Sequence, residues 1–354
     1  MAAKDFSQER MCDFRRVLKQ AGLDGYLTAD PLEQRYLSGI ELSAGEAVFL
    51  VTPNKAWCVT KQLIASKMLS AAKFLKTVIV PFGGMLDGAL AEIKKRGLNT
   101  VAFDPALVDL ATGQKLLDSG LCRAEGLVSE MRLKKYDDEV ARIKKACKIA
   151  AQAFDEVFPQ IKTGMTEDEV RILMAVAMIS RGADSVPFNI VCFGENTADA
   201  HHTASKTRKL KAEEPVLMDF GCFYEGYCSD MTRSWWHGKK EPAEYKKIWN
   251  IVDKARTAGV KALRPGVAAG DIDRAARSVI EAAGYGKEFF HTTGHAIGLV
   301  VHDRPILRSG APDELEENFV VTVEPGIYFD GRWGIRLEDS YLLTKDGSKK
   351  LTHK

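Results

Sequence analysis

The stretch VLMDFGCFYEGYCSDMTRSWW, residues 216–236, places two aspartates, Asp219 and Asp230, inside apolar sequence typical of β-strands. Strand interiors are depleted in aspartate, so these two carboxylates need an explanation. The residues Tyr224-Glu225-Gly226 separate the two apolar runs and indicate a hairpin turn. A turn centred on Tyr224 and Glu225 places Asp219 directly opposite Asp230, with Cβ atoms about 4.5–5.5 Å apart. Like charges placed in this way are destabilising unless a positive group lies between them.

A second hairpin with the same feature is predicted near the end of the sequence. The apolar run at residues 318–323 ends at Glu324, and a turn at residues 329–333 leads into the run that ends at Glu338. A turn centred on Gly331 places Glu324 opposite Glu338. Each hairpin then presents one carboxylate pair, and four carboxylates converge if the two hairpins face each other.

The region that carries both hairpins shows signs of an internal repeat. Long amphipathic helices are predicted at residues 137–160 and 242–263. Each is followed by a glycine, Gly164 or Gly266, then by a further helix and by glycine-rich strand sequence holding two acidic residues. Two such halves would stack to bury their apolar faces. The identity between the halves is weak, so chance similarity is the alternative to a duplication.

Histidines flank both hairpins. His291, His295 and His302 lie within one short segment, and His201 and His202 precede Asp219. Four carboxylates and one neutral imidazole carry a charge of −4, which two divalent cations would neutralise. The ligands are mainly oxygens without a thiolate, which favours Mn²⁺, Co²⁺ or Fe²⁺ over a structural zinc site.

Each of these residues also has a structural explanation when taken alone. A strand aspartate is commonly a bulge or edge residue, and a histidine is commonly a polar group with its hydrogen bonds satisfied. Glu324, which precedes Pro325-Gly326, could be a turn residue. The joint pattern favours the metal site, because the carboxylates fall at matching hairpin positions beside the histidine cluster.

The length of 354 residues suggests two domains. Residues 1–130 alternate helical and strand patterns, including a hairpin at residues 47–51 and 56–60, and predict a small α/β domain without a chemical constellation. The charged segment at residues 132–139 opens the long helix of the second domain, which we place at residues 131–354.

Composition excludes several classes of partner. The net charge is +2, with 50 basic and 48 acidic residues, so nothing indicates a nucleic-acid partner. No apolar run approaches the roughly 18 residues of a membrane span. The seven cysteines are scattered and form no C-x-x-C pair, which is typical of reduced thiols in a cytoplasmic protein.

From about residue 135 to the end, the chain resembles the pita-bread metallopeptidases, specifically the branch of aminopeptidase P and prolidase. Five motifs in the same order carry the resemblance: residues 218–221 (MDFG), 226–233 (GYCSDMTR), 293–298 (TGHAIG), 323–328 (VEPGIY) and 336–339 (RLED). Residues 36–39 (YLSG) give a weaker resemblance to the N-terminal domain of that branch. The resemblance implies an α/β N-terminal domain and an α+β pita-bread domain with an internal pseudo-two-fold repeat.

The same resemblance implies a role for each matching residue. The implied metal ligands are Asp219, Asp230, His295, Glu324 and Glu338, with Asp230 and Glu338 bridging two ions. The implied catalytic residues are Glu324, His202 and His302, and the implied substrate-binding residues are His202, His291, His302 and Arg336. The match departs from the family at His201, where proline is common, and at Asp303, where glutamate is commoner.

The implied activity is hydrolysis of Xaa-Pro bonds at peptide N-termini by a water that bridges two divalent metal ions. Glu324 would accept the proton of that water, and manganese is the expected metal, with cobalt, iron or zinc as alternatives. An aminopeptidase and a dipeptidase are both compatible with the motifs. A homodimer that acts on proline-containing peptides is expected. The alternatives are a metal-free pita-bread binding protein and another pita-bread hydrolase such as methionine aminopeptidase.

Overall fold

The computed structural model describes residues 7–352. The chain divides into two compact units, Met1–Arg132 and Leu133–Lys354. The division falls two residues after the boundary placed from the sequence. None of the helices within residues 7–352 is both long enough and apolar enough to cross a membrane.

The first unit is built on a mixed six-stranded sheet. Its strands are β1 (Gly25–Thr28), β2 (Ala47–Val51), β3 (Ala56–Thr60), β4 (Lys76–Ile79), β5 (Val101–Phe103) and β6 (Cys122–Arg123). Its helices are α1 (Ser7–Gln20), α2 (Pro31–Ser38), α3 (Gln62–Ala71), α4 (Met85–Lys95), α5 (Leu110–Asp118) and α6 (Leu127–Leu133), which ends at the division. The strand order is β4-β3-β2-β1-β5-β6. The predicted hairpin is confirmed, because β2 pairs antiparallel with β3.

Helix α2 buries a carboxylate that the sequence did not draw attention to. The helix begins after Asp30, whose side chain accepts a hydrogen bond from the backbone N–H of Glu33. Glu33 itself is buried, and the Tyr26 hydroxyl lies 3.1 Å from both of its carboxylate oxygens. Burial raises the pKa of Glu33 to about 7.

The second unit combines four α-helices with three sheets over its described residues. The helices are α7 (Asp137–Val157), α8 (Glu167–Ser180), α9 (Ala243–Ala262) and α10 (Ala269–Ala282). The strands are β7 (Ser185–Phe193), β8 (Glu214–Tyr224), β9 (Tyr227–Cys228), β10 (Met231–His237), β11 (Gly294–Ala296), β12 (Asp303–Leu307), β13 (Val320–Val323), β14 (Gly326–Phe329), β15 (Trp333–Arg336), β16 (Asp339–Thr344) and β17 (Gly347–Lys350). The sheet orders are β10-β8-β7, with β9 paired to β8, then β12-β11-β13-β16-β17, and β14-β15.

The two halves of this unit repeat the same local structure. Gly164 and Gly266 both adopt positive φ angles, of 95° and 81°, which favour glycine. The N–H of Gly164 donates to Leu210 O and that of Gly266 to Leu315 O, each at 2.8 Å. An isolated bridge follows two residues after each glycine, from Thr166 in one half and Ala268 in the other. These matching contacts support a duplication over chance similarity.

The first predicted hairpin register is wrong by one residue at the turn. Tyr224 pairs with Tyr227, so the turn residues are Glu225 and Gly226, with φ angles of 45° and 80°. Two-residue hairpin turns of type I′ require positive φ at both central residues, and this pair provides them. Asp219 consequently lies opposite Thr232, not opposite Asp230.

The second predicted register is confirmed by the pairs on either side of the carboxylates. Val323 pairs with Asp339, and Gly326 pairs with Arg336. Glu324 and Glu338 therefore occupy opposite sides of a short break between the β13–β16 ladder and the β14–β15 ladder. The backbone leaves the regular ladder at this break, and the two carboxylates lie there.

Candidate metal centre and active site

The five predicted metal ligands line one cavity of about 700 Å³ in the second unit. They come from separate strands or strand breaks: Asp219 from β8, Asp230 from the break before β10, His295 from β11, and Glu324 and Glu338 from the break described above. Asp219 and Asp230 still share a face of the sheet, because Asp230 lies two residues from Thr232, the partner of Asp219. Diagonal neighbours on one face remain within reach of each other. Asp219 and Asp230 therefore still lie close together in the register that the structure shows.

Three of these residues present their ligand atoms in a tight cluster. The ligand atoms of Asp230, His295 and Glu338 all lie within 4.8 Å of one another, and all three residues are buried. The Nε2 atom of His295 lies 3.6 Å from Asp230 Oδ2 and 3.3 Å from Glu324 Oε1. Such a set of oxygen and imidazole donors fits a divalent cation.

The ring of His295 is oriented for ligation by its own backbone neighbour. Its Nδ1 lies 3.1 Å from the carbonyl oxygen of Ala296, which can only accept a hydrogen bond. Nδ1 therefore carries the hydrogen, and Nε2 directs a lone pair towards the carboxylates. Burial lowers the pKa of His295, which favours the neutral ring that a metal requires.

The carboxylates of the cavity have little counter-charge in the protein itself, since Arg336 forms its ion pair with Asp219. Burial, together with the charges of neighbouring carboxylates, raises the pKa of Asp230 and of Glu338 well above the ordinary range. Burial also raises the pKa of Glu324 to about 7. Within residues 7–352, the buried oxygens Asp219 Oδ1 and Glu338 Oε1 have no hydrogen-bond partner. Unsatisfied buried carboxylate oxygens are costly, and bound cations would satisfy them.

A guanidinium closes one side of the cavity. Arg336 is buried and donates from Nη2 to Asp219 Oδ2 at 2.6 Å, from Nη1 to the Tyr328 hydroxyl at 2.7 Å and from Nε to Thr232 Oγ1 at 3.1 Å. The Tyr328 hydroxyl lies 3.0 Å from Nε2 of His291. The Nδ1 of His291 lies 2.8 Å from the Thr292 carbonyl oxygen, so the chain of hydrogen bonds ends on the backbone. Burial lowers the pKa of His291 to about 3, and the ring is neutral.

A buried ion cluster that the sequence did not reveal supports Glu338 from behind. The next residue, Asp339, accepts from Arg233 Nη2 at 2.9 Å, from Lys350 Nζ at 2.7 Å and also from Arg256. Burial alone raises the pKa of Asp339, but these three cations outweigh that effect and lower it. Arg233 Nη1 donates to the backbone oxygen of Glu338 at 2.7 Å, and thereby fixes the position of this predicted ligand.

Further contacts hold the two predicted bridging residues. Thr232 Oγ1 donates to Glu338 Oε2 at 2.6 Å. Ser340 Oγ donates to the backbone oxygen of Asp230 at 2.7 Å. Hydrogen bonds of this kind orient metal ligands. The sequence offered no signal for these contacts beyond the positions of Thr232 and Ser340 next to motif carboxylates.

The predicted histidines do not all reach the cavity. His302 lines it, with its ring 4.4 Å from that of His295. His202 does not line it, because its Nε2 lies 2.8 Å from Oε2 of the fully buried Glu167 on α8. The adjacent His201 lines the cavity instead. The structure therefore places His201, and not His202, on the wall of the cavity, and the substrate contact of His202 stays a prediction.

Comparison with known proteins gives matches along almost the whole chain. The model of metallopeptidase family M24 matches residues 141–345, and that of the creatinase/prolidase N-terminal domain matches residues 10–134. An uncharacterized peptidase of Bacillus subtilis is 31% identical over 344 residues, which cover 96% of each chain. An uncharacterized peptidase of Staphylococcus aureus is 39% identical over 334 residues, 91% of this chain and 93% of that one.

Solved structures show the same architecture. An Xaa-Pro dipeptidase from Bacillus anthracis has a TM-score of 0.92 at 31% identity and covers 98% of both chains. An X-Pro aminopeptidase from Thermotoga maritima has a TM-score of 0.88 at 30% identity, with 96% of this chain and 98% of that chain covered. The predicted fold, an α/β N-terminal domain followed by a pita-bread domain, is confirmed. The chain belongs to metallopeptidase family M24 and is a metallopeptidase of its Xaa-Pro peptidase branch.

Proposed function

We propose that this metallopeptidase hydrolyses the Xaa-Pro bond at peptide N-termini with two divalent metal ions. The observation that carries the proposal is that the carboxylates of the cavity outnumber its cationic side chains, since Arg336 pairs with Asp219. Asp219 and Glu338 each keep one buried oxygen without a partner, and Asp230 lies beside them. The similar structures, which are those of an Xaa-Pro dipeptidase and an X-Pro aminopeptidase, support the substrate class.

The residues that would hold the ions are Asp219, Asp230, His295, Glu324 and Glu338, with Asp230 and Glu338 shared between both ions. Their combined charge of −4 matches two divalent cations, and manganese is the metal we propose, since hard oxygen donors dominate. When bound, the ions lower the pKa of a water to near neutrality and polarise the scissile carbonyl.

The protein's own groups would then bind the substrate and move the proton. Glu324, beside His295 in the cavity, is placed to accept a proton from the attacking water. His302 and His201 line the same cavity and would contact the substrate, which transfers to His201 the role predicted for His202. Arg336 holds Asp219 in place through its 2.6 Å hydrogen bond.

The proposal also covers the substrate and the assembly of the chain. We propose a proline-containing peptide as the substrate and a homodimer as the assembly. A cytoplasmic location and the lack of nucleic-acid or membrane partners remain predictions from the sequence. A metal-free binding protein is the competing function, and it would keep its structure and its partner after all metal is removed.

The test is a paired peptide assay on the full chain. Chelator-treated protein is supplied with Mn²⁺ and given Ala-Pro-Ala or Ala-Ala-Ala, while calorimetry counts the bound ions. We expect two ions per chain, cleavage of the Ala-Pro bond only, and loss of activity on chelation. Asp230→Asn should lose both metal and activity. Full activity of the chelated protein, or equal cleavage of both peptides, would contradict the proposal.

A further inference from the structure

We propose that the enzyme is selective for peptides that continue beyond the proline, and acts poorly on Xaa-Pro dipeptides. The inference rests on the proposed Xaa-Pro hydrolysis. In a dipeptide the proline itself carries a free carboxylate, next to the bond to be cleaved. That charge must enter the cavity with the proline, whereas a longer peptide presents a neutral amide at the same place. The charges of the cavity therefore decide between the two substrates.

The cavity is strongly acidic. Five carboxylates line it: Asp199, Asp219, Asp230, Glu324 and Glu338. Among the described residues that line it, Arg336 is the one arginine or lysine side chain. Two divalent cations would neutralise four of the carboxylates, and Arg336 the fifth. A dipeptide carboxylate would therefore enter a cavity with no positive charge in excess.

The guanidinium of Arg336 is already committed to the protein. Its three nitrogens donate to Asp219, Tyr328 and Thr232 at 2.6, 2.7 and 3.1 Å, and the residue is only 3% exposed. Strong recognition of a carboxylate by arginine uses two parallel N–H donors from one edge of the guanidinium. Nη2 also donates to Ala200 O at 3.4 Å, so four of the five N–H groups are engaged and a pair of parallel donors requires the release of one of these partners.

His291 cannot supply the missing charge. Its Nδ1 is hydrogen-bonded to the Thr292 carbonyl oxygen at 2.8 Å, and its Nε2 accepts from the Tyr328 hydroxyl at 3.0 Å. Both nitrogens of the His291 ring are therefore hydrogen-bonded, and the ring carries no charge. A carboxylate transferred into a site without a cationic partner loses hydration that the site does not replace.

The remaining lining suits a neutral peptide. Phe188, Ile190, Phe290 and Val301 contribute apolar surface to the cavity. Phe290 is 63% exposed and packs against Tyr328, with ring centroids 5.2 Å apart. An apolar wall of this kind accommodates a proline followed by a neutral amide.

The inference is tested with three substrates on the manganese-loaded full chain at pH 8. Ala-Pro carries the carboxylate on proline, Ala-Pro-NH₂ replaces it with a neutral amide of nearly the same size, and Ala-Pro-Ala moves it one residue away. We expect kcat/KM for the amide and the tripeptide to exceed that for the dipeptide at least about tenfold. A dipeptide cleaved as fast as, or faster than, its amide would overturn the inference while leaving Xaa-Pro hydrolysis intact. Cleavage of none of the three would remove the proposed function itself.

A matched pair of variants isolates charge from shape. Phe290→Arg adds a guanidinium at the exposed wall of the cavity, and Phe290→Met keeps a neutral side chain of similar length. We expect the ratio of Ala-Pro to Ala-Pro-NH₂ hydrolysis to rise in Phe290→Arg relative to Phe290→Met. An equal ratio in the two variants would count against a charge-based selection.

Discussion

Glu338 and Asp339 are neighbours in the chain and both are buried, yet their surroundings are opposite. Asp339 is enclosed by Arg233, Arg256 and Lys350, and these cations lower its pKa. The carboxylate of Glu338 accepts one hydrogen bond, from Thr232, while its Oε1 has no partner and its pKa is raised by burial. The charge of Asp339 is neutralised by side chains of the protein, whereas that of Glu338 would be neutralised by the metal ions that we propose.

The difference separates two tasks that adjacent residues perform. The ion cluster of Asp339 fixes the backbone, since Arg233 binds both the Asp339 carboxylate and the Glu338 carbonyl oxygen. The under-satisfied Glu338 then presents its oxygens at a fixed place. A site built in this way has its ligands oriented before the metal arrives, at the expense of stability without metal.

Substitution of Glu338 should give the largest effect of all. Glu338→Gln keeps the acceptor for Thr232 but removes the charge, so metal binding and its several kcal/mol of transition-state stabilisation are lost. We expect kcat/KM to fall at least about a thousandfold. The metal-free variant should melt at the same or a higher temperature than metal-free wild type, because an uncompensated buried charge is gone. A variant with two bound ions and full activity would contradict this.

Asp339→Asn should show the reverse pattern, a loss of stability in the metal-free protein. Removal of the carboxylate leaves the surrounding cations partly buried and unpaired, which costs about 3 kcal/mol or more. Amide hydrogen exchange in β16 and β17 should therefore become roughly a hundredfold faster. The control is Lys350→Met, which removes one half-exposed cation and should cost less than about 1 kcal/mol. Equal protection in Asp339→Asn and wild type would show that the cluster is not stabilising.

Glu33 extends the comparison to a buried carboxylate in the first unit. Its pKa is raised to about 7 by burial, so folding favours its protonated form. The stability it contributes is complete below its ordinary pKa and is lost as the pH rises through about 7. Glu33→Gln should therefore leave the melting temperature unchanged near pH 4 and raise it at pH 8. The free energy of unfolding at pH 8 should increase by an amount on the order of 2–3 kcal/mol. Calorimetric scans of both proteins at the two pH values measure this. The same difference at both pH values would exclude titration of Glu33 as the cause.

The smallest expected effect is on metal affinity when the backbone contact of Arg233 is weakened. Arg233→Lys keeps a cation near Asp339 but loses the second nitrogen, which donates to the Glu338 carbonyl oxygen. Loss of such supporting contacts typically weakens metal binding by about 10–100-fold. Calorimetric titration with Mn²⁺ measures it. Arg256→Lys is the matched control, because Arg256 contacts Asp339 and Asp253, and it should bind Mn²⁺ nearly as wild type does.

The two hairpins show why one register could be predicted and the other could not. Gly331 is the single glycine at the tip of the second hairpin, and its position gave the correct pairing. In the first, Tyr224-Glu225-Gly226 allows two turn centres that differ by one residue. The choice depends on whether Glu225 adopts a positive φ. Residues other than glycine rarely adopt this backbone conformation, and the sequence does not predict it here.

The sequence could not show which of the two adjacent histidines lines the cavity, for a different reason. His201 and His202 have the same chemistry, and only their partners distinguish them. The partner of His202 is Glu167, which lies at the start of α8 and 35 residues earlier in the sequence. The partners of Asp339 are likewise distant in the sequence, since its cations come from β10, α9 and β17. Local patterns predict elements and motif residues, whereas such distant partners require the fold.

The break that holds Glu324 and Glu338 has a consequence for how the chain can change in length. Strand pairing is in register on both sides of it, at Val323 with Asp339 and at Gly326 with Arg336. Residues added at the tip, 330–332, would leave both ladders and both carboxylates in place. A single residue added at 337 would instead turn every side chain of β15 or β16 to the opposite face. The fold should therefore tolerate insertions at residues 330–332, whereas an insertion at residue 337 should disrupt the positions of Glu324 and Glu338.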